Sequence, residues 1–186
     1  MAVSSITKMT VPLDSNQSSS SQGLLMPKLK YRFRVTFINM GSGSQGDTTE
    51  LSKQIMDFTR PNINFNPITI DVYNSKLYLQ GKPEWQVVTV NMRDDVNGNV
   101  AKVLASQIQK QFDFAEQSSA REGTDYKFTT KFEVLDGSGG AGGNALETWQ
   151  LYGCFISEIN YNNFDYKDNE PATITVQLRY DNAEQS

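Results

Sequence analysis

The chain of 186 residues contains no histidine and a single cysteine, Cys154. Without histidine, neither a Ser-His-Asp nor a Cys-His nucleophilic mechanism can be assembled. A His/Cys zinc site and a histidine pH switch are excluded as well. One cysteine cannot close an intrachain disulfide, so nothing points to an oxidising compartment. An enzyme would have to work with carboxylates, Lys or Tyr. A basic surplus is also missing: 17 Lys and Arg against 21 Asp and Glu leave a net charge of −4. Proteins that grip nucleic acid usually carry the opposite balance. No apolar run approaches the length of a membrane span, and residues 1–10 do not read as a secretory signal. No repeat of solenoid period is present. The expectation is a soluble, mildly acidic protein made in the cytoplasm, with no cofactor and no metal. Its length suits one domain with a substantial core, plus an extension.

What is present is mostly period-two alternation. Residues 1–27 stand apart as a Ser-rich arm, with Ser18 to Ser21 in one run; such an arm is read as a connector to neighbouring subunits. The domain then spans 28–186. Tyr31, Phe33, Val35 and Phe37 alternate with Lys30, Arg32, Arg34 and Thr36, which predicts a half-buried strand with one basic face. Further strands are expected around Ile68–Tyr73, Leu77–Leu79, Trp85–Met92, Tyr126–Val134, Leu146–Phe155, Ile156–Tyr161 and Thr173–Tyr180. One helix is expected from Gly98 to about Phe114. Val100, Val103, Leu104, Ile108 and Phe112 form its apolar stripe, Gln107, Gln109, Lys110 and Gln111 its polar side, and Asn97 or Asn99 its cap. Asp136–Asn144 is a Gly-rich loop. The fold class predicted is mainly β: an antiparallel sandwich or barrel with one flanking helix and an extended N-terminal arm.

Chemical motifs are weak. Gly41 to Gly46 matches G-x-G-x-x-G, but the preceding strand has a basic face, unlike the buried first strand of a dinucleotide-binding sheet. Asp94-Asp95 lacks the spacing of a calcium loop and reads as a turn that caps the helix. Asp165, Asp168, Asn169 and Glu170 read as a solvated turn. Cys154 lies in an apolar setting and is expected to be buried and inert. Trp85 and Trp149 are expected as core anchors. The cations Lys28, Lys30, Arg32 and Arg34 suit a solvated face, a phosphate contact or a salt-bridging subunit contact.

Two blocks carry a family likeness. The first is Ser75-Lys76-Leu77-Tyr78-Leu79-Gln80-Gly81, then Trp85 to Asn91 and Asp94-Asp95 ahead of the helix. The second is Trp149 to Ile156, an acidic turn, and Ala172 to Asp181. In order and spacing, over roughly residues 29 to 181, the chain resembles the tail tube proteins of contractile-tailed bacteriophages, which are related to secretion-system and injection-system tubes. The resemblance implies a structural, non-enzymatic subunit of the virion tail, assembled in the host cytoplasm. Homo-hexameric rings would stack into a hollow tube inside a sheath, with sheath, baseplate and tail terminator proteins as partners and genomic DNA passing through the lumen. It places the inner wall near Leu51–Phe58, Ser75–Gly81, Lys127–Leu135 and Ala145–Tyr152, although Leu51, Ile55 and Phe58 also suit a short helix. Subunit contacts are expected from the arm (Leu24, Leu25), from a loop holding Pro61, Asn62, Phe65 and Pro67, and from Lys30, Arg32 and Arg34. Alternatives are a tube-initiator or capping baseplate protein and a secretion-system tube subunit. From another class, a carbohydrate-binding β-sandwich could use Tyr73, Tyr78 or Tyr161.

Overall fold

The structure, a computed structural model, describes residues 27–41, 48, 51–137, 144–167 and 169–186. The expected arm up to residue 26, the G-x-G-x-x-G stretch beyond Gly41, most of the Gly-rich loop and Asp168 lie outside them. The elements are β1 (Phe33–Ile38), β2 (Ile55–Phe58), β3 (Ile63–Phe65), β4 (Ile68–Val72), β5 (Ser75–Leu79), β6 (Pro83–Trp85), β7 (Val88–Arg93), α1 (Asn99–Gln111), β8 (Phe112–Asp113), β9 (Ser118–Ser119), α2 (Gly123–Tyr126), β10 (Phe128–Leu135), β11 (Ala145–Asn160), β12 (Thr173–Arg179) and β13 (Asn182–Gln185).

All strand pairings are antiparallel, in the order β1-β10-β11-β12-β7-β2, with β13 also beside β11. The first half of β11 pairs with β10 and β13, and its second half with β12. Two sheets therefore share one long strand and pack over a common core. Phe58 of β2 stacks on Phe132 of β10 with centroids 4.8 Å apart, across the two layers. β1 and β2 are not paired with each other, so the barrel is left open along one side.

Within β1, β10 and β12 the expected alternation is observed, but Tyr31, expected in the first strand, lies in an exposed turn before β1, and Tyr126, expected to start β10, ends α2. Val35 and Phe37, Phe128, Thr130, Phe132 and Val134, and Ile174, Val176 and Leu178 point inward. Residues 51–53 are helical and Ile55–Phe58 extended, so that segment holds both conformations suggested for it. Trp85–Met92 is not one strand: Gln86 leaves the line to donate its N–H to the Asn62 carbonyl at 2.8 Å.

β11 corrects a larger expectation. The two strands expected at Leu146–Phe155 and Ile156–Tyr161 are one continuous strand. Between Thr130↔Leu151 and Phe128↔Cys154, β11 spends three residues where β10 spends two, which is a bulge. Gly153, at φ 65, takes the left-handed conformation there. The extra residue flips the inward parity, so Leu151, Cys154 and Ile156 are all buried. A Cβ on Gly153 would lie 2.2 Å from Asp181 Oδ2, and that carboxylate is held by Lys127 Nζ at 2.6 Å.

α1 packs over the bend, burying Val100, Val103, Leu104 and Gln107. Phe112, expected in the helix, already belongs to β8. The expected polar side is corrected too. Gln107 is wholly buried: its Oε1 accepts from the Gly41 N–H at 2.8 Å and its Nε2 donates to the Tyr126 carbonyl at 2.6 Å. Gln111 pairs with both backbone groups of Ile156 at 3.0 Å, replacing a neighbouring strand where β10 has ended. Neither Asn97 nor Asn99 caps the helix. Gly98 is the N-cap residue without a side-chain bond, and Asp95 Oδ1 accepts the Val100 N–H at 3.2 Å.

Two substitutions test these joints. Gln107→Leu keeps the volume but orphans two backbone groups at about 1–3 kcal/mol each, so the urea midpoint should fall by the equivalent of roughly 2 kcal/mol or more. An unchanged midpoint would mean that Gly41 and Tyr126 find other partners. Gly153→Ala forces a left-handed alanine against Asp181 and should cost at least about 1 kcal/mol, visible as a lowered Tm.

Candidate functional site: assembly surfaces

The first candidate surface is a projecting ribbon. β3 pairs with β6, and β4 with β5, as two parts of one excursion between β2 and β7. Directly opposed residues share a face. Ile68↔Leu79, Ile70↔Leu77 and Val72↔Ser75 make one face apolar, while Thr69↔Tyr78 and Asp71↔Lys76 make the other polar. The five apolar side chains are 42–55% exposed. A two-stranded ribbon is marginal alone in water, and a contiguous apolar face marks an interaction site. At its tip, Tyr73 is fully exposed with φ 44, a conformation costly for a bulky residue.

The second surface is a cleft of about 1180 Å³ between the open edges β1 and β2. Phe33, Phe58 and Phe132 line its apolar floor. Lys28, Lys30, Arg32, Arg34, Lys53, Arg60 and Arg93 line it with positive charge, and among the described residues Asp57 is the one carboxylate in the lining.

The basic residues of β1 and the segment before it are brought together here, and three of them have partners within the protomer. Arg34 Nε donates to Glu133 Oε2 at 2.7 Å, and Lys131 bonds the other oxygen of Glu133 at 2.8 Å. Arg32 donates to the Asp136 carbonyl at 2.7 Å and lies over the Tyr31 ring. Lys28 pairs with Glu147, whose other oxygen accepts from the Trp149 indole at 2.6 Å. Lys30 is exposed on the cleft wall. Of the segment expected as a contact loop, Phe65 is in strand β3 and Pro61 is buried, while Asn62, Phe65 and Pro67 are exposed. Leu24 and Leu25 lie outside the described residues. Tyr73, Tyr78 and Tyr161 are exposed, but none lines the cleft. Trp85 and Trp149 pack against the core from its margin. Cys154 is buried, and burial pushes its thiol up to about 11, so it carries no thiolate at neutral pH. Asp94 Oδ1 accepts the Asp95 N–H, so this acidic pair serves its turn.

The ribbon's apolar face escaped sequence reasoning, although the signal was present. Ile68, Ile70, Val72, Leu77 and Leu79 alternate like core strands, and only the tertiary structure shows that none of the described residues covers them.

Glu133 and Glu147 tie the cleft wall to the sheet, and both are nearly buried. Burial raises the Glu133 pKa, but the bonds from Arg34 and Lys131 outweigh it and hold the carboxyl below its ordinary value. Lys28 and then the Trp149 N–H do the same for Glu147. A depressed folded pKa gives stability that is present above the ordinary value near 4.5 and lost as pH falls through the lower folded value. Denaturant midpoints should therefore drop below about pH 4.5. Glu133→Gln should be less stable at pH 7 and show a shallower acid decline; an identical decline would remove Glu133 as a cause.

No protein-family model matches the chain, and no characterised protein matches it by sequence. Solved structures match it by shape. A chain of the sheath/tube terminator of an extracellular contractile injection system (PVC, extended state) matches with a TM-score of 0.64 at 14% identity, over 88% of this chain and 99% of that one. A chain of the six-fold symmetrised anti-feeding prophage baseplate gives 0.64 at 12% identity, over 88% and 97%. A chain of the PVC sheath-tube complex, also extended, gives 0.59 at 15% identity, over 86% and 91%. Coverage of both partners is nearly complete, so a whole domain is shared rather than a motif. This chain has the fold found in chains of the tube, terminator and baseplate assemblies of contractile injection systems, in agreement with the resemblance carried by Ser75–Asp95 and Trp149–Asp181.

Proposed function

We propose that this chain is a structural subunit of a contractile-tail tube, whose copies join into six-membered rings that stack into a hollow tube within a sheath. The observation that carries this reading is the ribbon. Five aliphatic side chains alternate on two paired strands to form one contiguous exposed face, and the fold is one found in tube assemblies. Packed on a neighbouring protomer, the ribbon gains the cover that a two-stranded element needs. Rings closed by such contacts would leave sheath, baseplate and terminator proteins as the further partners. The function needs no catalysis.

A phage tail delivering DNA is the finer reading. It is supported by the charge balance of −4: a wall that repels phosphates lets a polyanion slide rather than stick. An end ring, either tube initiator or terminator, is the second reading, favoured by the likeness to terminator and baseplate chains. Copy number per particle separates them, with many rings for a tube and one for an end piece.

Electron microscopy of the purified protein should show six-fold rings or tubes. Ile70→Asp with Leu77→Asp should abolish them while changing the protomer's Tm little, because both side chains lie outside the core. A wild-type protein that stays monomeric at high concentration would overturn the reading.

A further inference from the structure

Charge is unevenly distributed over this protein. Among the described residues the cleft between β1 and β2 is lined by seven cationic side chains and one carboxylate; Lys28 and Arg34 are paired with Glu147 and Glu133, so the positive surplus rests on the other cations. The rest of the chain then carries ten cations against twenty carboxylates. A cationic, aromatic-floored cleft on an otherwise acidic protein is complementary to another part of the same chain.

The part that fits lies beyond the far end of α1. There β8, its turn, β9 and α2 form a hook carrying Asp113, Glu116, Glu122 and Asp125 against Arg121. Phe114 projects from its turn, 63% exposed, its ring edge-on to Phe112 with centroids 5.4 Å apart. The hook is preorganised. Asp113 Oδ1 accepts from the N–H groups of Ala115 and Glu116, Glu122 and Asp125 form a reciprocal capping box, and the Ala120 N–H bonds the Gln111 carbonyl. An exposed phenyl ring flanked by fixed carboxylates matches an apolar floor rimmed by cations.

In the chain, the hook and Arg93 of the cleft lie on opposite sides of α1. Arg93, on the cleft wall, lies just before α1, and the hook begins where α1 ends. The thirteen residues of α1 between them span about 20 Å. Between copies the contact is heterologous, because hook and cleft are different patches, and such contacts propagate rather than close in pairs.

We infer that the cleft between β1 and β2 receives the acidic hook of a second copy of this chain, and that this contact joins one ring to the next. The inference rests on the tube reading and names the stacking surface within it; the ribbon makes the ring, and the cleft stacks it. Contact between opposite charges at a partly open cleft weakens with salt, so tubes separate into rings at high ionic strength.

Two charge-reversed proteins test it, with substitutions at exposed positions: Arg60→Glu with Arg93→Glu in the cleft, and Glu116→Arg with Ser118→Arg in the hook. Each should form rings like the wild type, while its sedimenting tube fraction falls at least ten-fold. An equimolar mixture of the two should regain tubes, because each reversed surface then meets its complement. The proposal is overturned if both proteins form tubes normally. It is also overturned if only one of them loses tubes, which would give the cleft or the hook to another partner, or if the mixture stays as rings. Assembled tubes that still bind a DNA oligonucleotide through Arg60 and Arg93 would show the cleft open, and would overturn it as well. Absence of rings in the wild type would instead remove the tube reading itself.

Discussion

The structure depends on one strand serving two sheets. β11 pairs with β10 and β13 in its first half and with β12 in its second, and the change happens at the bulge around Gly153. Because a bulge inserts one residue, it turns the strand and flips which residues face inward. Leu151 and Cys154 both reach the core for that reason. Where β10 ends, β11 has a free edge at Ile156, and an unpaired buried backbone group is costly. Gln111 supplies the missing donor and acceptor, and Gln107 does the same for Gly41 and Tyr126. The amides of α1 thus follow from the bend beneath them.

The same bend leaves the barrel open. Its two edge strands face each other across the cleft instead of bonding, and an open edge on a monomer is a liability. Here the opening is dressed with cations, two of them anchored by the nearly buried carboxylates of Glu133 and Glu147. Charged edges resist non-specific strand addition while leaving room for a partner of the right charge. The ribbon complements this arrangement. It offers apolar area where the cleft offers charge, so the protomer presents two chemically different contacts. That difference suits an assembly growing in two directions, around a ring and along an axis.

Legibility in the sequence followed the regularity of each element. β1, β10 and β12 alternate without interruption, and their inward faces were assigned correctly from residues such as Val35, Phe132 and Val176. Read from sequence, β11 divides between Phe155 and Ile156, whereas the strand runs through; the parity change at Gly153 shows how a bulge blurs in sequence where one strand continues and another begins. Gln107 was placed on the polar side because amide side chains usually meet solvent; which backbone groups need a partner depends on how the sheets end. The cap was assigned to Asn97 or Asn99, whereas Asp95 reaches Val100 across a turn that local spacing does not define.

By itself the sequence determined what chemistry is absent and what kind of layer is built. Missing histidine and a lone cysteine removed whole classes of mechanism, and period-two alternation around one amphipathic helix implied antiparallel sheets. These properties are local or compositional, so the chain carries them wherever its parts come to lie. Only the tertiary structure decided that Ile68, Ile70, Val72, Leu77 and Leu79 face outward rather than into the core, and that cations far apart in sequence converge on one cleft. Burial and electrostatic convergence are relations between distant segments, and no residue carries them until the sheets have packed.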